Sequence, residues 1–242
     1  MLDKDGHGCF AGCFLEESMT TLRKECKNVV PVRLDVTNAE SVAQAAAIIA
    51  KHVEGRGLDG VVNNAGILIS PGPVEWIPVE SVERMLKVNV LGTVAVTKSV
   101  LPLIRKAHGR IVNVASIAGR VGLPANGAYC ASKFAVEGFS DVLRREMADW
   151  DVSVSNQGRC GYSGYSIGLQ NRTTGCWWAA CLQVHIIEPG VFKTTNLYKT
   201  FISDMDKMWA ALPNDVQRDY GEDFYKTSRF KLENYVSQQV IS

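Results

Sequence analysis

Ser116-Ile-Ala-Gly-Arg-Val-Gly-Leu-Pro-Ala-Asn-Gly-Ala-Tyr-Cys-Ala-Ser-Lys133 follows a short apolar run, Arg110–Ala115, that is typical of a strand. The glycines and the proline of this segment predict a loop that leads into a helix. Tyr129 and Lys133 are four residues apart and therefore share one face of that helix. An ammonium group near a phenol lowers its pKa, which lets tyrosine act as an acid or base near neutral pH. Ser116 could hydrogen-bond the same substrate oxygen. A Tyr-x-x-x-Lys pair alone is more often ordinary helix surface.

Strand-like runs alternate with helices of ten or more residues on both sides of this segment, which predicts an α/β fold with a doubly wound, Rossmann-like parallel sheet. We expect strands at His7–Phe14, Val29–Asp35, Leu58–Val62, Arg110–Ala115 and Asp151–Val154. A helix capped by Thr37 or Asn38 should follow the second strand, and the long helical stretch from Val79 to Ala107 should bend near Pro102. Since crossovers in such sheets are right-handed, the strands end on one rim, where ligands bind.

The composition limits the class of protein. The 242 residues suffice for one α/β domain, and 26 basic against 25 acidic residues give a net charge of +1, which disfavours a nucleic-acid partner. Seven cysteines without a Cys-x-x-Cys pair favour reduced thiols and no metal site. We see neither a signal peptide nor a run of about eighteen apolar residues. The expectations are a cytoplasmic chain without a membrane span and small molecules or proteins as partners, with a homodimer left open.

Two segments depart from the regular alternation. Gly6-His-Gly-Cys-Phe-Ala-Gly12 invites comparison with a phosphate-binding loop, but too few residues precede it to form the strand that such a loop requires. Residues 156–183 hold five glycines and three cysteines and show no helical or strand periodicity. Asp151–Val154 and Val184–Glu188 would form one strand if joined. We therefore interpret residues 1–242 as a single Rossmann-like domain that an irregular insert at 156–183 interrupts.

Several motifs together resemble the short-chain dehydrogenase/reductase family, in particular its retinol and hydroxysteroid dehydrogenase branch. The motifs are Asn63-Asn-Ala-Gly66, Val88-Asn-Val-Leu-Gly92, Gly109-Arg-Ile-Val-Asn-Val-Ala-Ser116, Tyr129-x-x-x-Lys133 and Ile187-Glu-Pro-Gly-Val-Phe-Lys-Thr194. The resemblance covers most of residues 7–155 and 184–228. Agreement of several independent motifs in this order is highly specific.

The resemblance implies a catalytic tetrad of Ser116, Tyr129, Lys133 and Asn89. Tyr129 would be the acid/base, Lys133 would lower its pKa and hold the nicotinamide ribose, Ser116 would position the substrate oxygen, and Asn89 would anchor a water. The residues implied in cofactor binding are Asp35, Val36, Asn63, Ala65, Gly66, Tyr129, Lys133, Pro189, Gly190, Val191 and Thr194. Taken singly, Asp35 could instead cap a helix, Gly66 could serve a turn, and Asn89 could satisfy backbone groups in a kinked helix.

By resemblance the reaction is hydride transfer between NAD or NADP and an alcohol or carbonyl of an apolar substrate of the retinoid or hydroxysteroid type. The apolar pocket should include Phe192, Leu197, Tyr198 and Phe201. Cys13, Phe14 and Leu15 lie where the adenosine ribose is expected, and they offer neither an acid nor an arginine, so NAD is mildly preferred. A serine-hydrolase alternative fails because Ser116 lacks the flanking glycines of a nucleophile elbow.

The sequence departs from the family in lacking the first strand and the Thr-Gly-x-x-x-Gly-x-Gly turn that binds pyrophosphate, so the sheet is expected to be incomplete. The branch usually has a membrane anchor before that strand, so endoplasmic-reticulum association is expected only for an intact form. Two hypotheses follow. The chain is an NAD(P)-dependent dehydrogenase, or it is a catalytically inactive product or dimerisation partner that lacks the pyrophosphate-binding turn.

Overall fold

The computed structural model describes residues 8–69, 71–157 and 200–241, and within them strands and helices alternate. The strands are β1 (Cys9–Cys13), β2 (Val29–Arg33), β3 (Gly60–Asn63), β4 (Arg110–Val114) and β5 (Ser153–Gln157). The helices are α1 (Glu16–Glu25), α2 (Ala39–His52), α3 (Val79–Leu86), α4 (Thr93–Lys106), α5 (Gly127–Met147), α6 (Phe201–Ala211), α7 (Asn214–Tyr220) and α8 (Glu222–Ile241).

All the strand pairs in the described residues are parallel, as the sequence predicted for a doubly wound α/β fold. They form two sheets, one of order β1-β2 and one of order β3-β4-β5, which agrees with the expectation of an incomplete sheet. A cavity of about 790 Å³ lies between the two sheets and is lined by residues of both β1 and β3. The sheets stay separate because no strand among the described residues bridges these two edges.

The beginning of α2 follows from its sequence. Asn38 has an extended backbone, and its side chain accepts a hydrogen bond from Ser41 N at 2.9 Å. This N-cap satisfies one of the backbone donors that a helix start leaves unpaired. Asn38, one of the two expected cap residues, is thus the observed cap.

The long helical stretch from Val79 to Lys106 is interrupted at a different place from the predicted one. Pro102 lies inside α4, whereas residues Lys87–Gly92 form a π-helical turn between α3 and α4. The stretch has 28 residues and contains an 18-residue window with a mean hydropathy of 1.3, so by length and composition alone it could cross a membrane. Its polar residues Asn89 and Thr97 are 1% exposed and bond to other parts of the chain. The expectation of no membrane span stays a prediction.

Two clusters of apolar side chains hold the elements together. The first joins α4, β4, α5 and β5 through Val100, Ile104, Ile111, Leu143, Met147, Val152 and Val154. The second joins the turn Val74–Trp76 to α6 through Trp76, Ile77, Met205, Met208 and Trp209, and the partly buried Tyr220 of α7 and Tyr225 and Leu232 of α8 pack against it. Burial of such side chains is the main favourable term in folding. The first cluster fixes α5 against β4 and β5.

The interpretation of the chain as one domain with an insert is not tested by these elements. Residues 158–199 lie outside the described residues, and residues 156 and 157 form the end of β5. The expected strand continuation at 184–188 also lies outside them. The domain arrangement therefore stays a prediction.

Candidate active site

Ser116 lies two residues after the end of β4, where the sequence placed it. It precedes the 3-10 turn Ile117–Gly119, and its Oγ accepts a hydrogen bond from Ala118 N at 3.2 Å. Gly119 N donates to Ser116 O at 2.8 Å. These two bonds fix the position of Ser116 at the rim.

Tyr129 lies in the first turn of α5 and is partly buried. Burial raises the pKa of its phenol above the ordinary value, and hydrogen bonding to the Ser116 side chain acts in the opposite direction. Lys133 Nζ lies 5.6 Å from the centre of the Tyr129 ring. The expected lowering of the Tyr129 pKa by Lys133 stays a prediction. Tyr129 is protonated at neutral pH.

Lys133 is only 6% exposed, which is uncommon for lysine. Its Nζ donates to Val114 O at 2.9 Å, so one of three ammonium protons is bound by the end of β4. Burial lowers the pKa of Lys133 to about 8, and the carboxylate of Glu137 opposes this shift. The ammonium retains two donors for further partners.

Asn89 lies in the π-helical turn and is 1% exposed. Its Oδ1 accepts from Ile67 N at 2.7 Å, and its Nδ2 donates to Ile67 O at 2.9 Å and to Ser132 Oγ at 3.0 Å. Ser132 Oγ in turn donates to Tyr129 O at 2.7 Å. Asn89 therefore ties the loop after β3 to the helix turn that holds Tyr129. Both protons of its amide are used, so a water could reach only its oxygen atoms.

Asn63 at the end of β3 is 8% exposed, and its side chain faces other strands and helices rather than the rim. Its Nδ2 donates to Thr97 Oγ1 at 2.9 Å and to Asn113 Oδ1 at 2.8 Å, and Asn113 Nδ2 donates to Ser140 Oγ at 2.7 Å. These bonds connect β3, β4, α4 and α5 in the interior. Any cofactor contact of Asn63 would come from its backbone.

Asp35 and Val36 lie in the loop after β2. Asp35 Oδ1 accepts from Thr37 Oγ1 at 2.7 Å and from Thr37 N at 2.9 Å, and these bonds lower the pKa of the carboxyl below its ordinary value. No described residue bonds to Oδ2, which is available to a ligand. Val36 packs on Gly92, where a Cβ would come within 2.6 Å of Val36 Cγ2. Only a glycine fits at position 92.

Ala65 and Gly66 lie in the exposed loop after β3. A Cβ built on Gly66 would lie 3.5 Å from Asn89 Oδ1 and 3.7 Å from Lys133 Nζ. The bare backbone of Gly66 thus forms an open surface beside two of the four expected catalytic residues. This surface and the two unused Lys133 donors fit the sugar hydroxyls of a nucleotide cofactor.

The structure brings Ser116, Asn89, Tyr129 and Lys133 to one edge of the β3-β4-β5 sheet, and Gly66 lies beside them. Pro189, Gly190, Val191 and Thr194, as well as the expected pocket residues Phe192, Leu197 and Tyr198, lie outside the described residues. Phe201 begins α6 and is 3% exposed. The described residues contain no group of three or more histidine, cysteine or acidic side chains that could hold a metal.

Sequence reasoning missed Ser132, Asn113, Ser140 and Glu137, all of which are buried and polar. Ser132, Glu137 and Ser140 repeat every three to five residues after Tyr129, which places them on the inner side of α5. Asn113 stands alone between valines in a strand that is otherwise apolar. Both patterns are visible in the sequence and mark polar groups that need buried partners.

A family model described as short chain dehydrogenase matches residues 1–161. Among curated proteins, 17-beta-hydroxysteroid dehydrogenase type 6 of Homo sapiens is 38% identical over 93% of this chain and 62% of its own length. Retinol dehydrogenase 7 of Rattus norvegicus is 37% identical over 98% of this chain and 65% of its own length. The chain thus spans less than two thirds of either relative.

Solved structures agree with this match. Serine dehydrogenase from Escherichia coli is 29% identical, with a TM-score of 0.60 over 64% of this chain and 72% of that protein. A short chain dehydrogenase from Burkholderia cenocepacia in complex with NADP is 30% identical, with a TM-score of 0.54 over 63% of this chain and 61% of that protein. The motifs, the parallel strands and these likenesses agree: the chain belongs to the short-chain dehydrogenase family.

Proposed function

We propose that this chain is an oxidoreductase that transfers a hydride between a nicotinamide cofactor and an alcohol or carbonyl group of an apolar substrate. The observation that carries the proposal is the convergence of Ser116, Tyr129 and Lys133 at one sheet edge. An acid/base residue, a donor for the substrate oxygen and a buried cation form a complete set for proton transfer at that oxygen.

Each of these residues has a defined task. Ser116 would hold the substrate oxygen, and Tyr129 would give a proton to that oxygen or take one from it. The raised pKa of Tyr129 keeps the phenol protonated at neutral pH, which suits the reduction of a carbonyl. For oxidation the phenolate is needed, and the Lys133 ammonium would stabilise it. Asn89 would hold a water through its oxygen atoms.

The cofactor would supply or accept the hydride at its nicotinamide ring. Lys133 would hold its ribose with the two donors that Val114 O leaves unused, and Ala65 and Gly66 would lie along it. Asp35 would contact the adenine through its Oδ2, with Val36 beside it. Relatives were solved with NADPH and with NADP, and NAD stays our mild preference for this chain.

The residues packed around Tyr129 favour an apolar substrate. They are mainly apolar and include Leu68, Ile69, Ile77 and Met85. Relatives named retinol dehydrogenase and 17-beta-hydroxysteroid dehydrogenase favour a retinoid or a hydroxysteroid as the substrate. Residues 1–242 are proposed to act in the cytoplasm, as a monomer or a homodimer.

The test begins with binding. The purified chain is titrated with NADH and NADPH, and the quenching of tryptophan fluorescence is followed; saturable binding, tighter for NADH, is expected. Absence of saturable binding of either cofactor would contradict the proposal and favour the alternative, an inactive chain that serves as a dimerisation partner.

Turnover is then measured with a retinoid and a hydroxysteroid. Tyr129→Phe should lower turnover by about 10³-fold while cofactor binding is retained, because only the proton-transferring hydroxyl is removed. Tyr220→Phe is the matched control, since the Tyr220 hydroxyl bonds to Glu75 at the surface, and its turnover should be unchanged. Retained turnover in Tyr129→Phe would refute the acid/base assignment.

A further inference from the structure

An ion pair between the buried Glu137 carboxylate and Arg120, whose side chain is 42% exposed, joins the loop after Ser116 to helix α5. Glu137 is 4% exposed and follows Lys133 by four residues, so the two side chains lie on the same face of α5. Arg120 Nη2 lies 2.8 Å from Glu137 Oε2 and donates a hydrogen bond to it. The contact therefore spans from the loop to the helix turn that holds Lys133.

The backbone of this loop lies directly on the same turn of α5. A Cβ at Gly119 would come within 2.9 Å of Lys133 O and 3.1 Å of Glu137 Cγ, so no larger residue fits there. Gly119 is also bonded to Ser116 O. A displacement of the turn Ile117–Gly119 from α5 would therefore displace Ser116 relative to Tyr129.

Removing the Glu137 carboxylate from water costs free energy that offsets its attraction to the partly exposed Arg120, so this ion pair is a poor device for stability alone. Glu137 has a second effect, however. It is the described carboxylate that favours the charged form of Lys133, whose pKa burial lowers to about 8. On α5 the titratable neighbours of Lys133 are Tyr129 and Glu137, and from the loop Arg120 faces Glu137. Val114 O and Asn89, on the other elements near Lys133, are neutral.

We propose that Glu137 is a positioning residue of the active site. It holds the loop after Ser116 against α5 through Arg120, and it keeps a negative charge one helical turn from the Lys133 ammonium. This role rests on the proposed function, since it concerns the alignment of Ser116 with Tyr129 and the charge of Lys133. It adds two residues, Glu137 and Arg120, to those that the motifs identify.

The test uses Glu137→Gln, which keeps the shape of the side chain and removes its charge. The first readout is the pH dependence of trace acetylation of Lys133, followed by mass spectrometry in the full chain without cofactor. In the variant the pKa of Lys133 should fall further below its value in the parent protein. An unchanged pKa would reduce Glu137 to a packing residue and would overturn the proposal.

The second readout is amide hydrogen exchange in a peptide that covers residues 117–123. Glu137→Gln should raise the exchange rate there by about tenfold, because the loop opens more often once its ion pair is lost. Arg120→Gln should raise it by a similar factor, and the double variant should add little, since both changes remove the same contact. Unchanged exchange, or additive effects, would contradict the proposed contact.

Asp141→Asn is the matched control. Asp141 pairs with Arg144 on the exposed side of the same helix, so the change removes a carboxylate without touching the loop. Neither readout should change. Because both are measured without cofactor or substrate, an inactive chain would leave the inference standing, and an active chain with an unaltered Lys133 would refute the inference alone.

Discussion

The two sheets differ in how their interiors are filled. In the β3-β4-β5 sheet, Ile111 is 0% exposed and packs with α4 and α5 in a continuous apolar cluster. In the β1-β2 sheet, Val30 is 37% exposed, and the cavity of about 790 Å³ lies between β1 and the β3 edge of the other sheet. The packed sheet holds the proposed catalytic residues, and the open sheet holds the proposed adenine contact.

This difference shows which parts of the proposed site are rigid without a ligand. Ser116, Tyr129 and Lys133 are fixed by elements that share one core, so the fold itself aligns them. Asp35 is fixed by local contacts to Thr37, Asn38 and Ser41. Contacts and burial of this kind determine local stability, so we expect the two sheets to respond differently to the same change.

The largest effect should come from the buried polar network of the packed sheet. Asn113 is 0% exposed and bonds to Asn63 and Ser140. Asn113→Ala should lower the free energy of unfolding by about 3 kcal/mol, since it leaves two buried partners unsatisfied and opens a small cavity. Urea denaturation followed by circular dichroism measures this loss.

Asn214→Ala is the control for Asn113→Ala. Asn214 is exposed at the beginning of α7, and its replacement should change the free energy by less than about 0.5 kcal/mol. If the free energy of unfolding of both variants falls by the same small amount, the network does not stabilise the packed sheet. The contrast between the two sheets is then weaker than the structure indicates.

The elements of this fold were largely predictable, because apolar runs and helical periodicity depend on local sequence. The strands β2, β3 and β4 and the helix that begins at Gly127 lie within a few residues of their expected bounds. An incomplete sheet was predicted, but its division into a β1-β2 and a β3-β4-β5 sheet was not, since strand pairing depends on long-range contacts. The π-helical turn was also missed, and Asn89 within it bonds to Ile67 and Ser132, which are distant in sequence.

The second prediction concerns the cost of burying Lys133 in the packed sheet. Folding lowers the pKa of Lys133 from the ordinary 10.5 to about 8, so between these values the unfolded chain binds a proton that the folded chain releases. The contribution of Lys133 to the free energy of unfolding therefore rises with pH through that window. The cost of burying its charge is fully present below pH 8. Lys133→Met should raise the free energy of unfolding by about 2 kcal/mol at pH 7.

This gain should shrink as the pH rises from 8 to 10.5, which is measured by repeating the urea denaturation at several pH values. Lys98→Met serves as the control, because Lys98 is exposed on α4 and its replacement removes no buried charge. A gain that is independent of pH would show that apolar packing, rather than the removal of a buried charge, explains it.

The third prediction compares the two sheets directly with the same substitution. Val32 in β2 is 4% exposed and Val154 in β5 is 5% exposed, so the two valines are equally buried. Val154→Ala should cost about 2.5 kcal/mol because it leaves a cavity in a closed core. Val32 already lines the cavity between the sheets, and Val32→Ala should cost only about 1 kcal/mol.

Thermal and urea denaturation of both valine variants give this difference. Equal costs would indicate that the space beside β1 is closed in solution.

The candidate site shows the same division: its motif residues on the packed sheet were predictable from sequence, whereas Glu137 and Ser132 were not. Their roles come from partners on other elements, and a single side chain on a helix face does not reveal those partners.

The smallest effect should come from the local contact on the open sheet. Thr37 hydrogen-bonds to Asp35 through its side chain and its backbone, and both bonds lower the pKa of Asp35. Thr37→Val removes the side-chain bond and should cost only about 0.5 kcal/mol at pH 7, because the carboxyl stays accessible to water. A group whose pKa is lowered by folding stabilises above its ordinary pKa of 3.8 and loses this effect as the pH falls through the folded value. The difference between Thr37→Val and the parent chain should therefore shrink as the pH falls through the folded pKa of Asp35. A difference that does not shrink would show that the hydroxyl acts on the packing of the loop rather than on the Asp35 carboxylate.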